Sequence, residues 1–307
     1  MNFLNLKKYQ ARIHFFSDFF PFFGSAFIFF TRIFALFFPL PLLWARVHRG
    51  RKYFFLVACT NLIVVGLLSN LFGLAIYTVF GVLLSFFLIE FLYRTQSIEK
   101  AIFFTLGTMT VLSFIFIQLY SFITGVSFIS ELKAQLISLI NQLFEMLKMV
   151  SSSYWHYSSD LERIQEEFLI SLPSELFIFG VIFLGINLLL LLKLNPQDLK
   201  WCSGFFQRWK VPEVLIWPTI FSGFFLVFSQ NRASLFFVIA INVFKSLMGL
   251  YAIQGFSIVS YFLDQWKVHR LFRIVTYIFS FWMMPIILSL GFFDFWLNLR
   301  MKKNESV

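Results

Sequence analysis

Between residues 15 and 299 the chain is a succession of apolar runs built mainly from Phe, Leu and Ile, parted by short polar connections. An apolar run of about 20 residues crosses the hydrocarbon core as a helix, because lipid offers no partner to an unpaired backbone group. The pattern therefore predicts an all-α fold, a polytopic transmembrane helix bundle. Hydrophobic residues make up 59% of the 307 positions and charged residues 13%, against about 25% charged in soluble domains, so a water-driven core is excluded. The 48 phenylalanines exceed what helix packing in lipid requires and carry no functional meaning.

The expected membrane segments are 15–30, 33–45, 53–69, 71–92, 101–124, 175–192, 214–228, 235–263 and 274–298, all in one membrane domain over 1–307. The basic residues of the +10 chain cluster between them: Arg46, Arg49, Arg51 and Lys52; Arg94 and Lys100; Lys193, Lys200, Arg208 and Lys210; Lys267, Arg270 and Arg273. All four clusters fall on one face, which the positive-inside rule makes cytoplasmic. This distribution explains the net charge without nucleic acid, for which the chain has neither a basic stripe nor a stacking platform.

The ends are less simple. Lys7, Lys8 and Arg12 precede the first run with no small-residue cleavage site after it, so it reads as an uncleaved anchor. A basic stretch on either side of the first run predicts a hairpin breaking near Thr31 and Arg32, with Asp18 and Arg32 on opposite arms. The last run either crosses once or turns near 285–291 and returns, which would keep both ends inside. Cys59 lies in a span and Cys202 in a basic connection, so no disulfide is expected.

The largest piece outside the spans is 125–174, an extracytoplasmic helical insertion. Ile129, Leu132, Leu136, Ile140, Leu143 and Leu147 recur at helical spacing, which predicts an amphipathic helix. After the aromatic run 154–157, Ser159 and Glu162 form a capping box for a second helix ending before Pro173.

Lys245 stands well inside the long run 235–263, a depth at which a charge is costly and a functional candidate. Asn242, Ser246 and Gly249 share its helix face, so that face turns toward protein or a water-filled cavity. The candidate polar site comprises Asn242, Lys245, Gln254, Asp18 and Asp294, with Asp18, Glu90 and Asp294 as possible counter-charges. A structural pair fixing helix register accounts for Lys245 equally well, and Glu90 with Arg94 reads as a helix-end pair. No enzyme signature accompanies these residues. The four histidines lie in separate segments without a second ligand at helical spacing, no GxxxxGK[ST] loop occurs, and no membrane-embedded His pairs with a GxSx serine. Neither a metal nor a cofactor is expected.

Four pieces of the chain, in order, resemble the YybS-like family of bacterial membrane proteins of unknown function. They are Pro39-Leu40-Pro41 followed by a basic stretch to Gly50; Trp209-Lys210-Val211-Pro212 with Trp217; Asn242 followed by Gln254-Gly255; and Gly291-Phe292-Phe293-Asp294 with Arg300. That family is similar in plan to the S components of energy-coupling-factor vitamin transporters and to the rod-shape protein MreD. The first hairpin here lacks the Ala-x-x-x-Ala motif by which S components dock. The resemblance implies a bacterial cytoplasmic membrane protein with two roles open to it: binding or transport of a small-molecule solute near Asn242, Lys245 and Gln254, or a scaffold that meets a membrane protein partner through 125–174 and 201–217.

Overall fold

A computed structural model describes residues 20–300, less 32–33, 126, 128–129, 131–133, 135, 143–144, 147–157, 195–198, 200–201, 203 and 230–233. Among the described residues the chain is helical without strands. Five helical stretches are long and apolar enough to cross a membrane: Ala35–Leu68, Leu71–Thr95, Ile98–Thr124, Gln165–Leu194 and Leu235–Gln265. The protein is an all-α polytopic bundle. Asp18, Arg32 and the aromatic run 154–157 lie outside the described residues, as do the side chains of Ser159 and Glu162.

The helices divide into two compact units, 1–128 with 180–203, and 129–179 with 204–307. The first unit opens with α1 (Phe20–Phe30), which ends in a turn at Thr31. Next comes α2 (Leu40–Leu68), in which the basic connection expected over 46–52 is helical on both sides of one residue. That residue is Gly50, at φ +80° and ψ −169°, a conformation open to glycine because it has no Cβ. Helix α3 (Leu71–Thr95) begins where Asn70 accepts a hydrogen bond from the Gly73 amide, and α4 (Ile98–Thr124) where Ser97 accepts from the Lys100 amide. In α3 a π-helical stretch, Tyr77–Leu83, presents Gly81 to Phe38 so closely that a Cβ would stand 2.8 Å from its ring.

Buried amides lock this unit. The Asn61 side chain accepts from the Ala26 amide at 2.9 Å and donates to the Pro21 carbonyl at 2.8 Å, joining α1 to α2. Tyr77 donates to Ser25, which donates to the Phe38 carbonyl, each at 2.6 Å. In hydrocarbon such bonds hold helices together where apolar burial cannot discriminate lipid from protein.

Helix α5 (Ser158–Leu194) contributes its first part to the second unit and its last part to the first. It runs through Pro173, so the second helix of the insertion does not end there as the sequence predicts. The second unit continues with α6 (Ile216–Phe228), α7 (Leu235–Gln265), α8 (Arg270–Trp282) and α9 (Met284–Leu297). Helices α8 and α9 meet at a bend of 92° at Met283, so 274–298 is not one straight span and the break precedes the expected 285–291. Pro285 explains the position, because a proline lacking N–H suits the first turn of a new helix.

Candidate functional site

Asn242, Lys245 and Gly249 project from one face of α7 because three- and four-residue steps return to the same side of a helix. That face meets the first part of α5. The Asn242 side chain donates to the Ile170 carbonyl at 2.7 Å and accepts from the Ser174 amide at 2.9 Å. Ile170 and Ser174 are the pair that an unbroken turn would bond to each other, and Pro173 lies between them. A proline has no N–H and its ring crowds the preceding turn, and the Asn242 amide serves the carbonyl and the amide on either side of it. One turn on, Lys245 Nζ lies 3.3 Å from Glu175 Oε1. One turn further, Gly249 admits Ile178, whose Cγ1 would stand 2.6 Å from an added Cβ.

The partner of Lys245 is thus Glu175; of the counter-charges expected from sequence, Glu90 and Asp294 pair with arginines elsewhere and Asp18 lies outside the described residues. Both side chains stay open, 40% exposed for Lys245 and 46% for Glu175. Phe244, the preceding residue, closes on Gly223 in the middle of α6, a helix without a charged residue. Lys245 therefore stands level with the middle of that apolar helix.

Gln254 and Asp294 belong to a second cluster. Gln254 lies nine residues beyond Lys245 on α7, about 14 Å along the axis. Its side chain accepts from the Val211 amide at 2.7 Å and donates to Asp294 Oδ2 at 2.9 Å. Arg300 donates to the same Asp294 oxygen at 2.8 Å, to the Gln207 and Trp209 carbonyls at 2.9 and 2.8 Å, and to Ser257 Oγ at 3.0 Å. Beneath this network α7 and α9 touch backbone to backbone. A Cβ on Gly255 would meet the Ile287 carbonyl at 2.0 Å, and one on Gly291 the Tyr251 carbonyl at 1.9 Å. Three of the four sequence pieces singled out above, 209–212, 254–255 and 291–300, converge here. The Gln254, Asp294 and Arg300 side chains are all turned to other protein groups, so the cluster works as a clamp that fastens the 207–211 connection to α7 and α9. The Trp209 indole N–H is buried without a partner.

Glu90 takes part in neither cluster. It belongs to the first unit, where Arg46, Arg51 and Arg94 all reach its carboxylate. Sequence reasoning found the Arg94 pair and missed the other two, because Arg46 and Arg51 come from a distant helix.

A family described as "Predicted membrane protein (DUF2232)" matches residues 20–295. The chain belongs to that family. The match covers the described helices of both units up to the last two residues of α9, and both polar clusters, although not Arg300, which closes the clamp from just beyond it. No curated protein and no solved structure matches the chain significantly. The family and the helices together make this a multi-pass membrane protein.

Proposed function

We propose that this member of the family is a non-catalytic component that binds or transports a small polar solute, with Lys245 and Glu175 as the solute-contacting pair. Resemblance to the YybS-like family and to S components, and a place in the bacterial cytoplasmic membrane, belong to the same proposal. The observation that carries it is an ion pair left almost half open at the level of the middle of an apolar helix. A charge facing hydrocarbon costs about 2.5–3.5 kcal/mol even on the mildest scale, so the open side of the pair faces water, solute or protein. A lysine beside a carboxylate offers donors and acceptors side by side, which suits a zwitterion or a polar solute carrying both functions. Asn242 and Gly249 hold the pair in place by fixing α7 against α5. Of the two surfaces open to a scaffold role, 125–174 and 201–217, the second is buried at Trp209 and Val211 and clamped from within, which leaves less of it for docking.

Purification from native membranes followed by mass spectrometry of co-purifying metabolites tests this reading. A metabolite should accompany the wild-type protein and be lost from folded Lys245→Ala and Glu175→Gln variants. Retention of the same metabolite by both variants, or a protein partner in place of any metabolite, would refute it.

A further inference from the structure

In the first unit three guanidinium groups converge on one carboxylate. Arg46 Nη2 lies 3.1 Å from Glu90 Oε2, Arg51 Nη2 lies 2.8 Å from both Glu90 oxygens, and Arg94 Nε lies 2.9 Å from Oε1. Arg46 and Arg51 could not meet on an unbroken helix, where a five-residue step turns a side chain by about 140°. Gly50 makes the meeting possible. Its positive φ breaks α2 between the two arginines, and nothing stands within 4 Å of the place a Cβ would take, so the demand there is on backbone torsion and not on space.

A single arginine would neutralise Glu90, yet this arrangement leaves two positive charges uncompensated. The imbalance has a direction. Arg46 and Glu90 are buried, with Arg46 beside the Phe86 ring and its Nε without a partner. Arg51 and Arg94 have side chains 61% and 70% exposed, and Arg94 engages Glu90 through Nε, turning the rest of its fork outward. Like charges held this close repel one another unless an anion joins them. Arg94 lies in the last turn of α3 and Arg51 just ahead of the apolar part of α2, so the open side of the cluster falls where apolar helices end. Lipid phosphates lie at that level, and the planar donor fork of arginine matches phosphate oxygens two at a time.

We propose that the exposed side of the Arg46, Arg51 and Arg94 cluster around Glu90 binds a phosphate group, supplied by an acidic phospholipid headgroup or by free phosphate. Glu90 holds the arginines together and Gly50 sets their convergence, so the site is built before the ligand arrives.

The full-length protein in detergent, titrated with phosphatidylglycerol, phosphatidylcholine or inorganic phosphate and read by native mass spectrometry, tests the proposal. Phosphatidylglycerol or phosphate should bind the wild type, with phosphatidylcholine far weaker. The Arg51→Gln/Arg94→Gln variant should bind about tenfold more weakly, while Lys267→Gln/Arg270→Gln, which removes the same charge elsewhere, should bind as wild type. Displacement of phosphatidylglycerol by millimolar phosphate would assign the site to free phosphate; lipid binding that phosphate cannot displace would assign it to the headgroup. Should the double variant not fold, Arg94→Gln alone, which leaves both other arginines on Glu90, should bind severalfold more weakly. Undiminished binding in a folded variant, equal loss in the control, or no preference for phosphatidylglycerol or phosphate over phosphatidylcholine would overturn the proposal.

Discussion

Replacing Asn242 with Leu removes an amide that serves two backbone groups at once. The branched four-atom shape of the side chain is kept, so the loss is chiefly one of hydrogen bonds. The Ile170 carbonyl and the Ser174 amide, now bonded at 2.7 and 2.9 Å, would be left in apolar surroundings on either side of Pro173. An unsatisfied buried group costs about 1–3 kcal/mol, and single hydrogen bonds between membrane helices measure nearer 0.6 kcal/mol because the separated helices find other partners. With two groups stranded and the proline preventing the turn from closing by itself, we expect a loss of about 2–4 kcal/mol. The proline supplies the sharper test. In a Pro173→Ala background the turn can form its own bond, and Asn242→Leu should then cost less than half as much. Thermal unfolding of the four proteins in detergent, followed by tryptophan fluorescence, completes a double-mutant cycle. Additive effects in that cycle would refute the bridge.

Two further perturbations address the clamp of the second unit. Gly291→Ala places a methyl group 1.9 Å from the Tyr251 carbonyl, where only backbone movement makes room, whereas Gly223→Ala meets a Phe244 ring edge at 3.0 Å that can rotate away. The first should cost about 3 kcal/mol or more and the second less than about 1 kcal/mol; equal melting temperatures would contradict the close crossing. Arg300→Ala strips the buried Asp294 of its cation, for which about 3 kcal/mol is expected, while Asp294 keeps the Gln254 bond and one from the Leu299 amide. An unchanged unfolding midpoint in Arg300→Ala would show that the network does not hold the connection.

The all-helical membrane fold was legible because hydrocarbon imposes one requirement, length of apolar sequence, and α3, α4, α5 and α7 meet it openly; α2 was not, because its basic stretch 46–52 reads as a connection between two segments, 33–45 and 53–69. The orientation of α7 was also legible, since Asn242, Lys245 and Gly249 at helical spacing mark a face that seeks protein, and α5 occupies it. What that face touches was not. Glu175 stands at the start of an apolar run, where a carboxylate looks like a boundary, and only the parallel course of α5 and α7 brings it to Lys245. Pro173 shows the same limit from the other side. Locally it ends a helix, and the compensation that carries α5 through it comes from a residue 69 positions away in sequence. Gly50 is the converse case: a glycine within a basic stretch reads as a loop, whereas helix continues on both sides of it and the break serves to aim two arginines at Glu90.

The central claim is that Lys245 and Glu175 meet a solute and do not merely fix two helices. Exchanging the two charges separates these roles, because a structural pair is indifferent to which helix carries which sign. The measurement is the content of bound small molecule, by mass spectrometry, in the Lys245→Glu/Glu175→Lys protein purified beside the wild type. We predict a variant that unfolds at the wild-type temperature and has lost the solute. A variant that keeps both its stability and its solute would contradict the account.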